Sequence, residues 1–154
     1  SYKGIVLAVN KWDLASGLGL TKETASLRVR ERFKFAAYAP TRFVSAVRGT
    51  GIGSLMDTAW MVLEQWRKEL RRYELRRTVL EAVARHPPAT FGRHALKIYG
   101  VAQDDAGPPT FTFYVNRANV VHFSYQRYLE NAIRHRHGFE GSPLRLRFKG
   151  RGER

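Results

Sequence analysis

The sequence predicts two units of different class: an α/β unit built on parallel strands, then an α+β unit in the order α-β-β-α-β. Three observations predict this. In the first half, two short apolar runs alternate with two helical stripes, and strands that alternate with helices form parallel sheets. In the second half, three segments alternate apolar and polar residues, which marks strands with one buried face. The length of 154 residues suits two small units.

Residues 4–9 form a continuous apolar run that ends in a polar turn, the pattern of a buried parallel strand. Thr21 is the expected N-cap of a first helix, with Glu23 in its first turn. Ala25, Val29, Phe33 and Ala36 follow at helical spacing, and Pro40 closes that element. Arg42, Phe43, Val44 and Ser45 make a second short strand, and Gly49-Thr50-Gly51 a turn. Leu55, Ala59, Val62, Leu63, Trp66 and Leu70 then define one stripe of a long helix.

A charged stretch, residues 67–77, leads into the second unit. Leu75, Val79, Ala82, Val83 and His86 form a helical stripe that Pro87-Pro88 ends. Leu96 and Ile98 alternate with Lys97 and Tyr99; Phe111, Phe113 and Val115 alternate with Thr112 and Tyr114. Residues 104–109 are the expected turn between these two strands. Ser124 is the expected cap of a helix carrying Tyr125, Tyr128, Leu129, Ala132 and Ile133, with Gly138 at its end. Last, Leu144, Leu146 and Phe148 alternate with Arg145, Arg147 and Lys149. A three-stranded sheet with helices on one face follows.

Composition narrows the partners. There are 27 Lys and Arg against 13 Asp and Glu, a formal net charge of +14. Each half, residues 1–73 and 74–154, contributes +7. The charge is therefore spread over both units. Such an excess releases counterions from a phosphate backbone, which points to a polyanionic partner, RNA or the ribosome. The chain has no cysteine, so it has no disulfide framework and no thiolate metal site. The expected compartment is the reducing cytoplasm. No apolar run approaches the roughly 20 residues of a membrane span. The opening apolar run is too short for a signal peptide and leads straight into Asn10 and Lys11.

Chemistry is concentrated after the first strand, where Asn10-Lys11-Trp12-Asp13 matches the N-K-x-D pattern of GTPases. Guanine presents a ring N–H beside an exocyclic amine, two donors side by side. The Asp13 carboxylate is placed to accept both. Adenine would leave that carboxylate unpaired, which is how a hydrogen-bonding site rejects an analogue. Asn10 can bond the base and tie neighbouring loops, and the Lys11 stem can lie along the purine face. Trp12 reads as packing. A four-residue pattern is weak alone. The second element is Ser45-Ala46, which follows the second strand. In GTPases such a pair offers a backbone N–H to the guanine carbonyl. Ligands of open α/β sheets bind at the carboxyl ends of the strands, where both loops lie.

Other patterns carry less. The Gly49-x-Gly51-x-Gly53 run lacks the Lys-Ser/Thr ending of a phosphate loop and reads as the start of a helix. Asp104-x-x-Gly107 comes after N-K-x-D, in the wrong order for a γ-phosphate sensor, and falls in a hairpin turn. Gly138-x-x-Gly141 follows the long helix and reads as capping rather than as an RNA-clamping loop. His135 and His137 point apart on a helix, and His86, His94 and His122 are scattered. No metal site is expected.

The second half resembles the C-terminal KH-like domain of the EngA/Der family of tandem-domain GTPases. Residues 108–113 (PPTFTF), 122–131 (HFSYQRYLEN) and 141–149 (GSPLRLRFK) carry the resemblance. The first half looks like the end of that family's second GTPase domain. The resemblance implies a partial P-loop GTPase fold over residues 1–72 and a KH-like domain over 73–154. It implies binding of GTP or GDP, with Mg²⁺ in the intact parent, and a role in assembly of the large ribosomal subunit. The guanine-binding residues are then Asn10, Lys11, Asp13, Ser45 and Ala46. Candidate RNA contacts are Lys97, Arg145, Arg147 and Lys149. The partners implied are guanine nucleotide, ribosomal RNA or the large subunit, and the parent's upstream GTPase domains, with no membrane.

The chain departs from the family pattern in two ways. It has no G-x-x-x-x-G-K-[ST] and no correctly placed D-x-x-G, so phosphate and Mg²⁺ ligands are expected upstream of Ser1. No catalytic residue is assigned, and the chain alone is not expected to hydrolyse GTP. Residues 116–123 also lack a Gly-x-x-Gly. The alternative reading is an RNA-binding or interaction module with no nucleotide function in this chain.

Overall fold

Two short parallel strands organise the first half of the chain. In the computed structural model, residues 2–88, 90–91 and 94–150 are described. Ser1, residues 89, 92, 93 and 151–154, and the side chains of Thr90, Phe91 and His94 lie outside them. The chain packs as two units. Among the described residues, one unit comprises 3–66 with 140–143; the other comprises Tyr2 with 67–139 and 144–150.

In the first unit, β1 (Leu7–Val9) pairs in parallel with β2 (Thr41–Phe43), in the register Leu7 to Thr41 and Val9 to Phe43. The connection is α1 (Lys22–Arg32) and a 3₁₀ turn at Lys34–Ala36. Thr21 caps α1 as expected. Its hydroxyl accepts the Thr24 N–H at 3.2 Å, and the Thr24 hydroxyl accepts the Thr21 N–H at 3.1 Å. This reciprocal arrangement satisfies two donors of the helix start. Glu23 in that turn has its carboxyl held below the usual range, mainly by its backbone hydrogen bond and the Thr21 hydroxyl.

The next helix, α2, spans Ile52–Trp66. Its buried face differs from the expected stripe. Thr58 and Val62 are buried and Ala59 is exposed. Thr58 can be buried because its hydroxyl accepts from Arg42 Nε at 2.7 Å and donates to the Ser54 carbonyl at 2.7 Å, which removes the cost of an unpaired polar group. Leu70 lies beyond the end of α2 and packs against the core of the second unit. Its N–H donates to Gln103 Oε1 at 2.8 Å. The segment 140–143 is tied into the first unit by backbone. Ile5 N–H donates to the Gly141 carbonyl at 2.8 Å, and Gly141 N–H to the Tyr38 carbonyl at 2.7 Å. Gly141 has φ +72°, and a Cβ there would sit 2.2 Å from Val62 Cγ2. Only glycine fits.

In the second unit, α3 (Arg72–Arg85) is followed by a small hairpin, β3 (Thr90–Phe91) with β4 (His94–Ala95), that the sequence did not announce. The main sheet has the order β5 (Ile98–Ala106), β6 (Pro109–Val115), β7 (Arg145–Gly150). The pair β5–β6 is antiparallel and β6–β7 parallel. Between β6 and β7 runs α4 (Phe123–His137). The helices cover one face of the sheet. Leu75, Val79 and Ala82 of α3 and Leu129 and Ile133 of α4 form one core with Val101, Phe111, Phe113 and Val115. Phe113 stacks on Phe148 at 5.1 Å between centroids.

Two local expectations are corrected. The β5–β6 turn is Gly107-Pro108, not residues 104–109, because Asp105 and Ala106 pair with Thr110 and Pro109. The polar residues that suggested a longer turn are satisfied across the hairpin: Asp104 accepts the Thr112 hydroxyl, and Asp105 Oδ1 accepts the Gly107 N–H. The N-cap of α4 is His122, not Ser124. The His122 imidazole accepts the Ser124 N–H at 3.2 Å, and Ser124 lies inside the helix.

The two helices are also joined by charge. Glu81 of α3 accepts from Arg77 at 2.9 Å and from Arg136 of α4. These two guanidinium groups hold its carboxyl below the usual range. At the end of α4, burial and the Lys68 ammonium lower the His137 imidazole below its usual value, and its Nε2 lies 2.8 Å from the Thr78 hydroxyl.

Leu129 is fully buried at the centre of this core. Leu129→Ala is expected to destabilise the second unit by about 2–5 kcal/mol, the transfer loss plus the cavity. Urea unfolding followed by circular dichroism checks this; a midpoint equal to wild type would contradict the packing described.

Candidate functional site

The carboxyl ends of β1 and β2 bring two loops together. Val44 N–H donates to the Val9 carbonyl at 2.9 Å, and Trp12 N–H to the Val44 carbonyl at 3.0 Å. The Trp12 ring tilts against Phe43 at 4.4 Å, a packing role. Lys11 adopts the left-handed region at φ 59°, which bends the chain sharply after the strand.

Within this frame Asn10 links the loops. Its Oδ1 accepts the Lys11 N–H at 2.7 Å and the Ala46 N–H at 3.1 Å. The Ala46 N–H is the donor expected to meet a guanine carbonyl, so a base would share it with Asn10 or take it over. Ser45 is buried, with its N–H bonded to the Thr50 carbonyl at 2.9 Å and its hydroxyl accepting the Arg48 N–H at 3.3 Å. Gly51 follows at φ +77°, where a Cβ would lie 2.4 Å from the Phe43 carbonyl oxygen.

Asp13 sits beside this turn with its side chain 17% exposed, and Arg48 Nε is 3.8 Å from its Oδ2. Its carboxyl is held below the usual carboxylate range. The neighbouring Ser45 hydroxyl is the main cause; burial opposes it, and Arg48 and Lys11 add to the lowering. An ionised, reachable carboxylate is what a pair of neighbouring donors requires. All five expected base-contacting residues, Asn10, Lys11, Asp13, Ser45 and Ala46, lie on these two loops. The sequence reading missed the Ser45 side chain and Arg48. The only signal for either was the turn that closes from Thr50 back to Ser45.

The second candidate surface is the sheet face opposite the helices. On it Arg145 stands opposite Thr110, Arg147 opposite Thr112 and Lys149 opposite Tyr114. Arg147 and Lys149 are exposed, while Arg145 is half-buried with its guanidinium 4.3 Å from the Tyr2 ring. Lys97 is exposed but precedes β5 rather than lying in it. Asn116 holds it there, accepting the Lys97 N–H at 2.9 Å and donating its own N–H to the Lys97 carbonyl at 3.1 Å. Among the described residues, no group of three His, Asp or Glu stands close enough to hold a metal ion, and no helix is long and apolar enough to cross a membrane.

Comparison with known proteins gives two results. Residues 70–149 match the family model described as the KH-domain-like C-terminal region of EngA bacterial GTPase enzymes. The chain is 44% identical over 152 residues to GTPase Der of Thermomicrobium roseum, an alignment covering 97% of this chain and 33% of that protein. It is 41% identical over 152 residues to GTPase Der of Moorella thermoacetica, covering 99% and 35%. It thus spans about a third of the length of these relatives.

The Asp13 carboxyl is held below its usual range, so its surroundings contribute stability above that range that is lost as pH falls through the lowered value. Ser45→Ala is expected to raise the Asp13 pKa, since the largest lowering cause is removed. A carboxyl-carbon NMR titration reads it directly, and an unmoved Asp13 would rule out that cause.

Proposed function

The chain belongs to the EngA/Der family of GTPases, and we propose that it supplies the family's guanine-reading loops together with its KH-like domain. Residues 1–72 are assigned to the end of a GTPase domain and 73–154 to the KH-like domain; the start of the matched region at residue 70 supports that division. One observation carries the nucleotide reading: the Asn10 side chain accepts the Ala46 N–H, which ties the loop holding Asp13 to the Ser45-Ala46 loop. These residues fit a guanine base. Asp13 accepts the ring N–H and the exocyclic amine, Ala46 N–H faces the base carbonyl, and the Lys11 stem covers the ring. Bound GTP would supply the phosphoanhydride that a complete GTPase domain of this family cleaves, and that cleavage would serve large ribosomal subunit assembly in the cytoplasm.

In a protein extended to the whole GTPase domain, Asp13→Asn is expected to weaken GTP binding about tenfold or more and to favour xanthosine triphosphate. The amide brings a donor against guanine's amine, whereas xanthine carries a carbonyl at that place. Competition between the two nucleotides measures it. Unchanged selectivity would remove Asp13 from base reading.

For the KH-like domain we propose contact with ribosomal RNA through Arg145, Arg147 and Lys149, with Lys97 at the edge. The alternation of the three cations along β7, the exposure of Arg147 and Lys149 and the net charge of +14 support this. Changing Arg145, Arg147 and Lys149 together to Gln is expected to weaken RNA binding without unfolding the chain. The salt slope is expected to fall by roughly 0.7 per lost phosphate contact. Titrations at several salt concentrations, with circular dichroism as the folding control, decide it. Wild-type affinity and slope in a folded triple variant would place RNA contact elsewhere.

A further inference from the structure

The basic face of the second sheet carries more than charge. Tyr114 is 44% exposed and stands directly between Lys149 on β7 and Gly100 on β5. Gly100 has no side chain to cover the ring; a Cβ placed there would lie 3.9 Å from Tyr114 Cδ2. The ladder is irregular between Ile98 and Gly100, and the residue between them, Tyr99, is 56% exposed. Irregularities of this kind re-aim a side chain at a functional edge. Ile98 and Leu96 meanwhile pack into the core, so the exposed tyrosines are not spare core residues. One row across the sheet thus reads glycine, tyrosine, lysine, with a second exposed tyrosine beside the glycine and Arg147 two residues before the lysine.

From this arrangement we infer that the open corner of the outer sheet face around Tyr114 is a stacking platform for unpaired bases. Tyr114 takes a base face, and Arg147 and Lys149 take the adjoining phosphates. The partner class is single-stranded nucleic acid rather than duplex, because duplex bases are already stacked and offer only backbone to such a face. The platform does not require a Gly-x-x-Gly loop, which residues 116–123 lack. An acidic protein would satisfy the cations but would leave the open ring beside Gly100 without a purpose. This inference rests on the reading of the same face as an RNA contact and specifies its mode.

The test uses the full chain and fluorescence anisotropy with three probes: an oligouridine of about 12 nucleotides, an abasic strand of the same length, and an RNA duplex. Tyr114→Leu is expected to weaken oligouridine about tenfold, the measure of one lost base stack, and to leave the abasic strand unaffected. Tyr114→Phe keeps the ring and is expected to bind within about twofold of wild type. Gly100→Val fits sterically in the strand but fills the space beside the ring, and is expected to weaken oligouridine as Tyr114→Leu does. The inference is overturned if Tyr114→Leu and Gly100→Val are folded and bind oligouridine as wild type. If in that case the Arg145, Arg147 and Lys149 triple variant still loses affinity, phosphate contact stands and stacking alone fails. If the triple variant also binds as wild type, or the wild type binds no RNA, both readings fail. Equal binding of an oligoglutamate peptide through the same residues would overturn the assignment to nucleic acid.

Discussion

The hydrogen bond from Val44 to the Val9 carbonyl continues a parallel ladder of only three residue pairs, and the first unit's chemistry hangs on its register. Side chains alternate along a strand, so a slip of one residue would turn each of them to the other face of the sheet. With the register as it stands, Asn10 follows β1 at the level where Ser45 and Ala46 follow β2. One amide oxygen then reaches both loops. Lys11 in the left-handed region and Gly51 at positive φ bend the two chains away after the strands. The loops therefore meet at the sheet end and nowhere else.

A comparable constraint runs through the second unit. The central strand β6 has paired neighbours on both sides, so its two faces must do different work. Phe111, Phe113 and Val115 turn to α3 and α4 and build the core. Thr110 and Thr112 are buried on the other face, where the Thr112 hydroxyl is satisfied by Asp104. Tyr114 is the residue of that row left open. The parallel partner β7 lines its cations up against this row because its own apolar residues, Leu146 and Phe148, are drawn to the core. Hydrophobic burial on one face thus sets the array of charge on the other.

The helical ends show where local reading loses force. Thr21 was legible as a cap, because the bonds it makes lie within three residues of it. Ser124 had the right chemistry, yet the preceding His122 already supplies the acceptor for that turn. Leu70 continued the α2 period, but period alone cannot say which of two cores claims a residue. Gln103, distant in sequence, holds its backbone outside the helix. Thr58 reads as a surface residue until Arg42 is seen to pair with it.

By itself the sequence determined the class of both units, the order of the main elements, the five base-contacting candidates and the basic alternation of the last strand. Each depends on periodicity or on neighbours a few residues apart, which a linear string records. Tertiary structure alone decided the burial of Thr58, the length of β5, the ionisation of Asp13 through Ser45, and the opening beside Tyr114. The burial of Thr58 and the lowered Asp13 pKa depend on groups 16 and 32 positions apart in the chain, Arg42 with Thr58 and Asp13 with Ser45. Their hydrogen bonds and open space exist only once the chain has folded.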